Sequence, residues 1–89
     1  MPTLAAHNLD GIHVGNTPLL DVSFAFPELG KKVTIMAKAE WANPGGSVKD
    51  RAGFFIIRDA LETGKLAGGK VLLDSSSGNT GIAYAWLGA

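Results

Sequence analysis

Two stretches of this 89-residue chain hold side chains suited to covalent and anion chemistry. The first is Asn43-Pro44-Gly45-Gly46-Ser47-Val48-Lys49-Asp50-Arg51, which sets a primary amine at the start of an expected helix. With Ser47 as the cap, Lys49 falls at about the second helical position, where the helix dipole is positive and Arg51 adds a further charge. Both fields favour the neutral amine, the form that attacks a carbonyl, whereas Asp50 acts in the opposite sense. The same residue also reads as a solvated lysine at a helix start.

The second stretch is Ser75-Ser76-Ser77-Gly78-Asn79-Thr80-Gly81. It gathers hydroxyls, a carboxamide and free backbone N–H groups where another helix should begin, a donor set suited to a carboxylate or a phosphate. An N-capping turn explains the same residues. The loop is neither a Walker loop, which needs G-x-x-x-x-G-K-[ST], nor a dinucleotide fingerprint, which needs G-x-G-x-x-G.

Other chemistry is excluded by residue type. The chain has no cysteine, hence no disulfide framework, thiolate zinc site or cysteine nucleophile, and it fits a reducing, cytoplasmic setting. His7 and His13 have no carboxylate in ligand register, so no metal site is expected. Ser75, Ser76 and Ser77 lack the G-x-S-x-G elbow. Eight basic residues balance eight acidic ones, which leaves no electrostatic footprint for nucleic acid or an anionic membrane. No apolar run is long enough for a signal peptide or a membrane span. At 46% hydrophobic residues the chain is expected to fold.

The elements that must position these loops follow from periodicity. Residues 33–40 alternate Val33, Ile35, Ala37 and Ala39 against Thr34, Met36, Lys38 and Glu40, which predicts a strand, and an earlier strand is expected around residues 18–24. Ser47 and Asp50 have the form of a capping box opening a helix over about 48–63, with Gly64 as its stop. Its apolar face takes in Ala52, Phe54, Phe55, Ile56, Ile57, Ala60 and Leu61, opposite a stripe of Arg51, Arg58, Glu62 and Lys65. Trp41 and Trp86 read as core or interface aromatics. Residues 70–74 predict a short buried strand, and Ile82 onward a second helix. The order is β-α-β-α, which implies α/β architecture with parallel strands and a right-handed crossover. Both loops would then emerge on one sheet edge and line one pocket.

Taken together with Gly15-Asn16-Thr17-Pro18-Leu19, the two stretches resemble the cysteine synthase and cystathionine β-synthase family of fold-type II pyridoxal-phosphate enzymes. The three motifs stand in that family's order and spacing across residues 14–89. The resemblance implies that residues 1–89 are a single partial domain, the N-terminal part of a three-layer catalytic core. It implies pyridoxal 5′-phosphate as cofactor, carried on Lys49 as a Schiff base, with Lys49 then acting as base at the substrate α-carbon. Asn79 would contact the cofactor's ring hydroxyl oxygen, and Ser76, Ser77, Gly78, Asn79 and Thr80 would grip the substrate α-carboxylate.

The implied reaction is β-replacement, in which an activated serine such as O-acetylserine loses its side-chain substituent and gains sulfide. Alternatives are the cystathionine β-synthase or serine/threonine dehydratase branches, or a non-catalytic anion-binding α/β fragment. The resemblance also implies a homodimeric parent acting on a small amino acid. Ser76 stands where the family commonly has threonine, and Asp74-Ser75 replaces its acidic-Pro or acidic-Ala pair, which bears on substrate preference. The family's Gly/Thr-rich phosphate loop is not found between Gly81 and Ala89, so the isolated chain is expected to be inactive.

Overall fold

The structure is a computed structural model and describes residues 9–89. His7 and the other expectations placed on the first eight residues lie outside that range. In chain order the elements are strand β1 (Leu19–Asp21), 3-10 segments at Ser23–Ala25 and Pro27–Lys32, strand β2 (Met36–Lys38), a 3-10 turn at Glu40–Ala42, helix α1 (Lys49–Glu62) and helix α2 (Asn79–Gly88).

The strands expected around 18–24 and over 33–40 both form, shortened to three residues each, and pair antiparallel with Leu20 opposite Ala37. From Thr34 to Ala39 the predicted alternation holds, with Ile35, Ala37 and Ala39 less exposed than Thr34, Met36 and Lys38. Strands close in sequence pair at small loop-closure cost, without a crossover. Ser23 helps to close this pair. Its hydroxyl accepts the Ile35 N–H at 2.8 Å, and its own N–H binds the Asp21 carboxylate at 2.9 Å, which lowers the Asp21 pKa.

Helix α1 matches the expected 48–63 to within one residue at each end. Gly53, Phe54, Ile57 and Ala60 are buried, whereas Phe55 and Ile56, expected on the same face, are 53% and 45% exposed. A helix meeting one neighbour covers only a stripe of its surface. The Arg58 guanidinium lies over both the Phe54 and Phe55 rings, 5.3 and 4.6 Å from their centroids. Gly64 takes a φ of +76°, and the Lys65 N–H reaches the Ala60 carbonyl at 2.8 Å, so the helix stops at the expected glycine.

Helix α2 begins at Asn79 rather than Ile82 and packs on α1 across Gly53. A Cβ on Gly53 would lie 3.0 Å from the Ala83 Cβ and 3.4 Å from Leu87 Cδ1, so its missing side chain sets how closely the helices approach. Leu9, Phe54, Ile57, Ala83 and Leu87 form the core, with Leu72, Tyr84 and Trp86 among the residues packed around it.

The expected parallel pairing is not formed among the described residues. The only sheet there is β1–β2, and residues 70–74 run without a ladder partner. Leu72 packs on the core, but Val71 and Leu73 are 85% and 91% exposed. A parallel strand is stable when neighbours and helices cover both its faces, and here α1 and α2 cover one side chain of the segment. The shape follows. The Cα radius of gyration is 17.5 Å, against about 12 Å for a compact chain of this length, because the hairpin and the helix pair pack as separate units joined by polar contacts.

Candidate functional site

Those polar contacts build the loop that carries Lys49. Asn43 is 4% exposed and bonds in several directions. Its side-chain carbonyl accepts the Gly15 N–H at 2.7 Å, and its amide donates to the Glu40 carbonyl at 2.8 Å, to Glu40 Oε1 at 3.1 Å and to the Ser47 carbonyl at 3.0 Å. The Glu40 carboxylate receives Arg51 Nε at 2.7 Å, Arg51 Nη2 at 3.0 Å and the Thr17 hydroxyl at 2.5 Å. The guanidinium first, then the Thr17 hydroxyl, lowers the Glu40 pKa to about 2, against a smaller opposing effect of burial. Gly15 has φ +82°, and a Cβ there would lie 2.7 Å from Arg51 Nη1. The motif at 15–19 is therefore bonded to the lysine-bearing stretch.

Asp50 corrects the capping-box expectation. Its side chain is fully buried and does not return to Ser47. Oδ2 accepts the Gly45 N–H at 2.5 Å and Oδ1 the Trp86 indole N–H at 3.1 Å. The Ser47 hydroxyl still meets a free helix N–H, that of Lys49, at 3.2 Å. Lys49 is the first residue of α1, with Val48 as cap, and is exposed. No hydrogen bond or ion pair engages its Nζ among the described residues. Arg51, expected to add its charge beside Lys49, is instead paired with Glu40.

At the second loop the Ser76 hydroxyl oxygen accepts the Gly78 N–H at 3.0 Å and the Gly81 N–H at 2.9 Å, which is the capping role. Its own O–H remains available to donate. Ser77, Gly78 and Asn79 are exposed and Thr80 is half-buried. Gly78 takes φ +154° and ψ −75°, a conformation that side-chain-bearing residues rarely adopt. Asp74 anchors the approach to the loop, accepting the Ser75 N–H at 2.8 Å and the Tyr84 hydroxyl at 2.9 Å. That bond to a carboxylate raises the Tyr84 pKa.

The two loops are linked through α2. Trp86, which bonds Asp50, lies roughly two turns beyond Asn79. No hydrogen bond joins the Lys49 side chain to residues 75–81 among the described residues. Two concavities, one lined by Leu9, Phe54 and Arg58 among others and one by Ile57, Leu66 and Leu87 among others, include neither Lys49 nor the serine loop. Sequence reading missed the Asn43 and Glu40 hubs and the Trp86 bond. A signal for the last was present, because a packed tryptophan has one donor that needs a partner.

Comparison with known proteins gives this arrangement a family. Residues 11–89 match the family described as pyridoxal-phosphate dependent enzyme. The chain belongs to that family. Its relatives include a cysteine synthase of Aquifex aeolicus, 53% identical over 77 residues that make up 85% of this chain and 24% of that protein. An O-acetylserine dependent cystathionine beta-synthase of Bacillus subtilis is 51% identical over 73 residues, 81% of this chain and 23% of that protein. Cysteine synthase B of Escherichia coli is 45% identical over 76 residues, 85% of this chain and 24% of its own length. The chain thus spans about a quarter of the length of these relatives. No solved structure matches it.

The donor set fits part of what a pyridoxal-phosphate site requires. An exposed primary amine stands at one helix start, and exposed hydroxyl, carboxamide and N–H donors stand at the other. Among the described residues no cluster of His, Asp and Glu could hold a metal ion, and no helix is long and apolar enough to cross a membrane.

Proposed function

We propose that this chain is the N-terminal part of the catalytic core of a pyridoxal-phosphate dependent synthase that replaces the β-substituent of an activated serine, O-acetylserine or a related ester, with sulfide. The observation that carries the reading is the family match over residues 11–89 together with relatives named cysteine synthase at 53% and 45% identity. In this reading, which the motif resemblance supports, Lys49 is the cofactor-binding and catalytic residue, Asn79 a cofactor contact, and Ser76, Ser77, Gly78, Asn79 and Thr80 the carboxylate grip.

Pyridoxal phosphate, when bound, supplies the electron sink for charge developing at the substrate α-carbon. The chain's own residues supply position and proton transfer. Gripping the α-carboxylate at the start of α2 fixes the substrate by its one permanent anion, and the helix dipole favours negative charge there. Lys49 Nζ would hold the cofactor aldehyde and, as a free neutral amine, would take the α-proton as base. Residues 70–74 would gain their parallel neighbours within the family's three-layer core, where Val71 and Leu73 become buried. The parent is read as a homodimer.

A second reading is favoured by the 51% identity to the Bacillus cystathionine beta-synthase, which is close to the value for the Aquifex cysteine synthase. It keeps the same residues and exchanges sulfide for a thiol-bearing amino acid. Reductive labelling with pyridoxal phosphate and borohydride, followed by peptide mapping, tests the shared core. Label concentrated at Lys49 supports it, and label spread over Lys31, Lys32, Lys65 and Lys70 rejects it. Incubation with O-acetylserine and sulfide should yield no cysteine from the 89-residue chain alone, and turnover would overturn the reading that it is only part of a catalytic core.

A further inference from the structure

The buried carboxylate of Asp50 has no part in the chemistry above, yet three elements meet at it. It is fully buried, follows Lys49 directly and divides its two oxygens between the Gly45 N–H at 2.5 Å and the Trp86 indole N–H at 3.1 Å. Gly45 is the third side of the junction, since a Cβ on it would overlap both the Asp50 carboxylate and the Trp86 nitrogen. Only a residue without a side chain lets the lysine loop, the first turn of α1 and the far half of α2 come together here.

We infer that Trp86 is a positioning residue for Lys49, coupling the loop that presents the lysine to the helix that begins with the serine-loop residue Asn79. The inference rests on the reading of Lys49 as the cofactor-binding lysine and extends it to a residue outside the three motifs. Among the described residues, Trp86 is the one side chain of α2 that hydrogen-bonds to the stretch carrying Lys49, at Asp50 in the first turn of α1. The α1–α2 contact through Gly53, Ala83 and Leu87 is apolar packing, which sets how closely the helices approach but makes no directional bond. A hydrogen bond to a buried carboxylate is short-ranged and directional, so it fixes where the first turn of α1 sits along α2. Rotation or translation of either helix breaks it and leaves a buried charge short of a partner.

The test compares Trp86→Phe, which keeps a ring and loses the donor, with Trp86→His, which keeps a ring N–H. Both are made in the full 89-residue chain. Cooperative thermal unfolding confirms that each variant is folded at the working temperature. One readout is amide hydrogen exchange at Gly45. The other is the share of pyridoxal-phosphate and borohydride label at Lys49 relative to Lys31, Lys32, Lys65 and Lys70 within the same molecule.

Trp86→Phe should speed exchange at Gly45 at least tenfold and lower the Lys49 share severalfold, with Trp86→His recovering part of both. Unchanged exchange in Trp86→Phe overturns the coupling. Preferential labelling of Lys49 that survives Trp86→Phe, or Phe and His variants that behave alike, overturns the positioning role while leaving the Lys49 reading intact. A wild-type chain that labels its lysines evenly overturns the Lys49 reading itself and the inference with it. If neither variant folds, Trp86→Tyr and Asp50→Asn replace them under the same two readouts.

Discussion

Residues 43–51 and residues 74–81 each lead into a helix, each contain Ser, Gly and Asn, and are held in different ways. The first stretch is bonded to distant parts of the chain. Asn43 reaches Gly15, Arg51 reaches Glu40 and Thr17, and Asp50 reaches Trp86. The second is bonded to itself and to the helix it opens, through Ser76 to Gly78 and Gly81 and through Asp74 to Ser75 and Tyr84. The strand-like segment before it leaves Val71 and Leu73 in water. A loop tied to remote residues takes its shape from the tertiary structure, whereas one tied to near neighbours keeps its shape when its surroundings are absent. The lysine loop is therefore the more sensitive of the two to single substitutions.

The comparison is broken most directly at Gly45. Gly45→Ala should destabilise the chain by about 2–3 kcal/mol, because the added methyl group must displace a buried carboxylate or an indole. Urea denaturation measures it, and a variant as stable as the wild type would show that the junction is loose. By contrast, Leu87→Ala removes core packing and should cost about 2–4 kcal/mol, whereas Leu73→Ser should fall within about 0.5 kcal/mol. A large loss from Leu73→Ser would mean that residues 70–74 are already covered.

The polar cluster makes a pH prediction. Glu40 is lowered from an ordinary value of 4.5 to about 2 by Arg51 and Thr17. A carboxyl with a depressed folded-state pKa contributes stability that is fully present above its unfolded value and is lost as pH falls through the folded one. The melting temperature should therefore drop between about pH 4.5 and pH 2, and Glu40→Gln should flatten that limb while lowering stability at neutral pH. An unchanged acid limb in Glu40→Gln would remove the cluster from the account of how the lysine loop is held.

A small effect is expected at the serine loop. The chain has one tyrosine, so ultraviolet titration reports Tyr84 alone. Its hydroxyl should titrate above the ordinary value of 10.0, and Asp74→Asn should bring it back toward that value. Tyr84→Phe should cost no more than about 1 kcal/mol, as expected for an exposed hydrogen bond. An ordinary Tyr84 titration would mean that the serine loop lacks its Asp74 anchor and is even less constrained than its partner.

The features legible in the sequence were those written in local chemistry. Helix α1 and its glycine stop follow from apolar spacing and from the one residue that takes positive φ without strain. The alternation over residues 34–39 follows from the two-residue period of a strand, and the three motifs led to the family because each is a short run of residue types at set spacing. The parallel partner expected for residues 70–74 does not form among the described residues, because strand pairing depends on what lies alongside, which no local period records.

The same division holds at the site. An amine at one helix start and an anion-suited loop at another are legible along the chain, because helix propensity and turn residues act over a few positions. That Asp50 turns away from Ser47 to meet Trp86, that Arg51 is engaged by Glu40 and that Asn43 holds Gly15 follow from the packed fold alone. A buried polar group takes whichever partner the packed chain places within about 3 Å. That partner lies 36 residues away for Asp50 and 28 for Asn43. Over such separations the pairing is set by which elements the fold brings side by side rather than by anything in the neighbouring sequence.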